Sequence, residues 1–371
     1  YIQKENTVWS ITRDGEDASM TMESGNISAV RETPDSNGQY GVGVTDGGDF
    51  TMTGGKIEAG WFAVAGNGNY KTQNSIINIT DGELISTADY AVYLPQSGTT
   101  TISGGKVYGA AGGVCIQRGT LNVEGTALIT SKGTGSTGNW GDGTGGLDCA
   151  AINVSGAYGI ATVNIKGGTL IAEAKSLITE GTTYTPVINV TGGTFSDPSV
   201  LKYMATNATV DIKLLSNINI AKTELATGYI LNAANATANL NLNGHDIINS
   251  SETADATPFT QIFTVQNGTL NISGNGNVKC DASATAKDDG YRMVIEARGY
   301  GTVNIHGGSY YNTQKLNTQI DLIYARENGK INIYGGTFES GKYGTPNNDT
   351  DGRYWVLNLK NTDKNTASIQ V

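Results

Sequence analysis

Three cations recur at matching points of three similar phrases: Val294-Ile295-Glu296-Ala297-Arg298, Leu322-Ile323-Tyr324-Ala325-Arg326 and Val356-Leu357-Asn358-Leu359-Lys360. Aligned, the phrases put Glu296, Tyr324 and Asn358 in one column and Arg298, Arg326 and Lys360 in the next outward one. Like charges about 4.8 Å apart repel by about 1 kcal/mol per pair in water, and by more where water is excluded. A chain of net charge −10 that accepts such a ladder has a reason to match an anionic ligand, such as the carboxylates or sulfates of a glycan. The alternative is a row of side chains that splay into solvent and pair with Glu327 and nearby acids.

Other chemistry is thinly represented. Trp140 lies in the Gly-rich stretch Ser131 to Gly146, where an indole can stack on a sugar face. The second long loop, Glu339 to Arg353, carries Tyr343 and an Asp349-x-Asp351-Gly352 phrase that reads as a turn, because the other ligands of an EF-type calcium loop are missing. The two histidines, His245 and His306, read as solvent-facing strand positions. Cys115, Cys149 and Cys280 lack metal-ligand spacing, and Cys115 and Cys280 read as buried or half-buried thiols. There is no Gly-x-Ser-x-Gly elbow, phosphate loop or His/Cys cluster, so neither a catalytic residue nor a cofactor or metal is assigned. The acidic balance argues against nucleic acid as a partner, since phosphate contacts need a basic face. No apolar run approaches the ~20 residues of a membrane span.

The elements that must position these residues are written in a repeat. An apolar-polar-apolar strand runs into Gly-Gly and then another strand: Thr101-Ile102-Ser103-Gly104-Gly105-Lys106-Val107, Val163-Asn164-Ile165-Lys166-Gly167-Gly168-Thr169-Leu170, Ile331-Asn332-Ile333-Tyr334-Gly335-Gly336-Thr337-Phe338. Gly25, Gly55, Gly82 and Gly105 stand 30, 27 and 23 residues apart. A strand-turn-strand unit at this period, with no helical pattern between copies, predicts a β-solenoid. Alternation puts Ile165, Val190, Ile305 and Ile333 inside, with Asn164, Asn189, Asn304 and Asn332 outside. The outward column runs Thr21, Thr51, Asn78, Thr101, Asn122, Asn164, Asn189, then Asn271, Asn304 and Asn332, which suits amide ladders between in-register parallel strands. A second strand recurs before each such phrase, so every coil carries at least two strands.

The expected fold is therefore all-β, a right-handed parallel β-helix of roughly 13–15 coils. A break near Asp197-Pro198-Ser199, where a short helical turn is expected, divides it into two segments, 1–200 and 201–371. The chain opens without Met at Tyr1 and stops at Ile369-Gln370-Val371, where the next turn is due. It reads as a fragment of a longer protein, with an open sheet edge suited to end-to-end self-association.

Leu240-Asn241-Leu242-Asn243-Gly244-His245 resembles the opening coil of right-handed parallel β-helices of the pectate-lyase-like class. The Ile/Val-Asn-Ile/Val-x-Gly-Gly-Thr-Phe repeats with their Asp-Pro-Ser close resemble secreted and surface repeat proteins of gut bacteria and some of their phages. The resemblance covers nearly the whole chain and implies an extracellular, secreted or surface-attached setting. The expected function is a non-enzymatic adhesin, or scaffold, that binds glycan or a host or microbial surface protein through Arg298, Arg326, Lys360, Tyr324, Glu296 and Trp140. Two alternatives stand beside it: a polysaccharide lyase or glycosidase with a groove on one face, and a phage tail or fibre component. A lyase of this architecture uses Arg or Lys as base beside Ca²⁺ held on acids, which would cast Arg298 or Arg326 next to Glu296, yet no acidic cluster stands in neighbouring coils.

Overall fold

The computed structural model describes residues 10–12, 18–30, 39–67, 74–137, 144–180, 183–220, 228–249, 259–280, 291–312, 320–340, 354–361 and 366–371. They form two compact units, Tyr1–Ser199 and Val200–Val371. Each is a parallel β-helix.

In the first unit three coils in succession show the design. Gly98–Ile102, Lys106–Gly109 and Gly112–Ile116 make one. Gly119–Val123, Leu128–Ser131 and Ala150–Ser155 make the next. Ala161–Ile165, Thr169–Ala172 and Lys175–Glu180 make the third. Every strand pairs in parallel with its counterpart one coil away, which stacks three interior ladders: Ile102, Val123 and Ile165; Val107, Ile129 and Leu170; Val92, Val114 and Ile152. All nine side chains are fully buried. Each coil thus has three strands: the two that flank the Gly-Gly corner and the recurring second strand of the sequence reading, Gly112–Ile116 in the first of these coils, which is buried on both faces.

The second unit repeats the scheme with Tyr291–Ala297, Thr302–Ile305 and Ser309–Asn312, then Ile320–Arg326, Lys330–Ile333 and Thr337–Ser340. Ile272, Ile305 and Ile333 stack in register. Tyr310 is fully buried, its ring stacks on Phe338 at 5.0 Å, and its hydroxyl donates to the Gly307 carbonyl at 2.9 Å. Burial holds its phenol above the ordinary tyrosine range, so it stays a neutral donor. A 3₁₀ helix, Pro198–Tyr203, occupies the place where a helical turn is expected. No helix among the described residues is long and apolar enough to cross a membrane.

The interior residues predicted from alternation are buried: Ile165, Val190 and Ile305 completely, Ile333 to 8 % exposure. The outward column is in register from Thr21 to Asn189 and again from Asn239 to Asn332. Its amides form ladders. Asn189 Nδ2 donates to Asn164 Oδ1 and Asn164 Nδ2 to Asn122 Oδ1, each at 3.0 Å. In the second unit Asn332, Asn304 and Asn271 each donate to the asparagine one coil earlier at 2.8 Å, and Asn239 donates to Asp211 at 2.9 Å. All three cysteines are buried, as expected for Cys115 and Cys280.

The Gly-Gly corner divides its labour. Only the second glycine has positive φ, 73° at Gly105 for example, whereas a Cβ on the first, Gly104, would strike the Thr80 carbonyl oxygen of the coil beneath. Gly105→Ala meets both obstacles, since its Cβ would stand 2.7 Å from the Gly82 carbonyl oxygen. It is expected to cost about 1–3 kcal/mol in urea unfolding; an unchanged midpoint would mean that the corner is not built this way.

Candidate functional site

The strands Tyr291–Ala297, Ile320–Arg326 and Tyr354–Lys360 carry the expected site. Glu296 pairs with Tyr324 and Tyr324 with Asn358, while Arg326 pairs with Lys360. Arg298 directly follows Ala297, the partner of Ala325, and so falls on the arginine row. The structure thus brings together Glu296, Tyr324, Arg298, Arg326 and Lys360. Trp140 and Asp142 lie outside the described residues, as do Tyr343 and the Asp349–Gly352 phrase.

Exposure departs from the simple picture of a solvent-facing column. Glu296 is 2 % exposed and Tyr324 9 %. Met293 through Ala297 and Asp321 through Ala325 are all buried, so both faces of these strands are shielded. Gln261 Nε2 donates to Glu296 Oε2 at 3.3 Å, and Asn358 Nδ2 donates to Asp321 Oδ1 at 3.0 Å. Gln261 is in register with Met293, and Met293 with Asp321. Each of those bonds links the same two columns, three residues apart.

The arginines approach Glu296. Arg326 Nε donates to its Oε1 at 2.6 Å, and Arg298 Nε lies 4.0 Å from its Oε2. Arg326 Nη1 also donates to Glu327 Oε1 at 2.5 Å, and Glu327 Oε2 accepts from the Gly299 amide at 2.9 Å. Burial alone would lower the Arg326 guanidinium, but the hydrogen bond and charge of Glu296, with Glu327 and Tyr324 behind them, hold it above its ordinary value. A buried carboxylate costs several kcal/mol unless paired, and two guanidiniums converging on one carboxylate meet that cost. The repulsion expected along the cationic row is relieved because acids stand between the cations. Both arginines are thus engaged with neighbouring acids. Each side chain keeps about a third of its surface in solvent, 32 % for Arg298 and 29 % for Arg326. Lys360 is exposed.

Of the histidines, His245 is half-buried rather than solvent-facing, and its amide donates to the Leu242 carbonyl at 2.8 Å. His306 is exposed and stacks on Tyr334 with ring centroids 4.7 Å apart and planes 8° from parallel.

Two features escaped the sequence reading. One is an aromatic and thiol cluster of Trp61, Phe62, Tyr90, Tyr93, Cys115 and Cys149. The described residues at and just after the end of the 131–146 loop are tied to this cluster: Thr144 Oγ1 donates to Asp89 Oδ2 at 2.8 Å, Tyr90 Oη to the Asp148 carbonyl at 2.5 Å, and the Asp148 amide to Glu180 Oε2 at 2.9 Å. The pairs Trp61-Phe62 and Tyr90-x-x-Tyr93 were its signal. The other is a threonine column beside the asparagines. Thr99, Thr120 and Thr162 are mutually in register, as are Thr237, Thr269 and Thr302. Its signal was the recurring Thr-x-Asn.

Compared with known protein families, curated proteins and solved structures, the chain matches none.

Proposed function

We propose that this chain is an extracellular, non-enzymatic binding scaffold of the kind bacteria display at their surface, engaging glycan or protein through outward faces of its coils. The observation that carries the reading is the regular, solvent-facing array of uncharged hydrogen-bonding side chains on a rigid parallel ladder, present in both units. The resemblance of its repeats to secreted proteins of gut bacteria supports the extracellular setting. The purified chain is expected to be retained by at least one class of glycan or surface protein in an array screen, with or without Ca²⁺. Absence of binding to every class would overturn the reading. So would release of ultraviolet-absorbing unsaturated products from an acidic polysaccharide, which would make it a lyase.

A second reading places an anionic glycan at Arg298, Arg326 and Lys360, favoured by the third of each arginine side chain that stays in solvent. Arg298→Ala and Lys360→Ala should then weaken binding of uronate or sulfated oligosaccharides, and affinity should fall as salt rises. Binding unchanged by either variant would leave the row to its ion pairs.

A further inference from the structure

We infer that the ligand surface is the paired threonine and asparagine columns, and that the ligand is an uncharged, extended polysaccharide lying along the ladder. This rests on the scaffold reading above and names its surface and ligand class.

Three consecutive coils of the first unit present Thr99 with Thr101, Thr120 with Asn122 and Thr162 with Asn164. Three of the second present Thr237 with Asn239, Thr269 with Asn271 and Thr302 with Asn304. Within a coil the two side chains are two residues apart and share a face, roughly 6.6–6.8 Å from one another, and coils repeat at about 4.8 Å. None of these side chains is buried. In a chain with 34 acidic and 24 basic residues, none of these twelve positions is charged.

The hydrogen-bonding capacity of this face is only partly used. Each ladder bond consumes one N–H and one oxygen lone pair of an asparagine, leaving a second of each. The hydroxyls of the six outer threonines, Thr99, Thr120, Thr162, Thr237, Thr269 and Thr302, make no hydrogen bond to a described residue. A ligand matching the face must offer donors and acceptors in alternation, carry no net charge and repeat at nearly the coil spacing. Sugar residues of an extended neutral chain do all three. An ionic ligand would lose hydration over these twelve positions and meet charge only at the ends of the second array, where Lys330 is in register with Thr302 and Asp211 with Asn239. A protein partner would look for aromatic or arginine anchors, which these twelve positions lack. Exposed Ile76 and Val187, in register with Thr99 and Thr162, flank the first array and give apolar contact for the C–H face of a pyranose.

The test is retention of the whole chain on insoluble neutral polysaccharides (cellulose, chitin and a β-1,3-glucan), beside uronate and sulfated polymers. The comparison is with Thr99→Val/Thr120→Val/Thr162→Val and Thr237→Val/Thr269→Val/Thr302→Val. Valine keeps shape and strand preference and removes only the hydroxyl, and unchanged melting and circular dichroism check the fold. Expected is binding to a neutral polymer that survives about 1 M salt and weakens roughly tenfold or more in each triple variant. Thr120→Arg, which projects bulk and charge from the same face, should weaken it further. Neutral-polymer binding that ignores all these variants would overturn the surface assigned. Binding confined to acidic polymers or to protein would overturn the ligand class while leaving the scaffold reading intact. Binding to none of these polymers would overturn the ligand class, and a further lack of binding to any surface protein in the array screen would overturn the scaffold reading as well.

Discussion

Ile305→Asp should unfold the second unit at ordinary temperature, or lower its stability by about 4 kcal/mol or more. Ile305 is fully buried and in register between Ile272 and Ile333. The substitution removes a packed aliphatic side chain, worth about 2–5 kcal/mol when truncated in a core, and leaves a carboxyl without a partner. Ile305→Val, which deletes one methyl group, should cost only about 0.5–1.5 kcal/mol. Paired urea titrations of the two variants give the contrast. Because a solenoid's stability is built from neighbouring coils, the loss should spread from this coil to those stacked on it. Equal midpoints for the Asp and Val variants would mean that Ile305 does not face the interior.

Arg326→Ala should be the most damaging single change among the charged residues, costing about 3–5 kcal/mol. It strips Glu296 of its 2.6 Å partner and leaves a 2 % exposed carboxylate with Arg298 at 4.0 Å and the Gln261 amide. Glu296→Gln in the same background should recover part of the loss, since the group left behind is then neutral. Lys360→Ala, on the same row but exposed, should change stability by no more than about 0.5 kcal/mol. The readout is the thermal midpoint of the four proteins. An Arg326→Ala variant as stable as Lys360→Ala would mean that Glu296 is not held by a buried pair.

The fold was legible because its signal repeats. Asn164, Asn189, Asn304 and Asn332 recur at a period that only stacked coils satisfy, and their amide ladders are the physical reason for the recurrence. The strand without alternation was legible as well, because the apolar phrases Ala91-Val92-Tyr93-Leu94 and Gly113-Val114-Cys115-Ile116 recur before the corner phrases; Tyr90–Leu94 and Gly112–Ile116 are strands buried on both faces. The arginine row was legible as a register, since Arg326 does pair with Lys360, but the depth of Glu296 was not. Whether an outward side chain meets water depends on segments remote in sequence, which local patterning cannot encode. The threonine column was in plain view as Thr-x-Asn and passed as ordinary strand preference, because threonine suits a strand whether or not it binds anything.

The core and the candidate binding face of the first unit both depend on one register, in which Asn122 lies against Asn164 across 42 residues of chain. Cysteines at those two positions test it directly, because Cα atoms about 4.8 Å apart lie within the reach of a disulfide. Under mild oxidation Asn122→Cys/Asn164→Cys is expected to cross-link, seen as a loss of two hydrogens by mass and a faster-migrating band on a non-reducing gel. The staggered pair Asn122→Cys/Thr162→Cys, displaced by two residues along the strand, should stay reduced. Efficient cross-linking of the staggered pair, with none in the aligned one, would contradict the account.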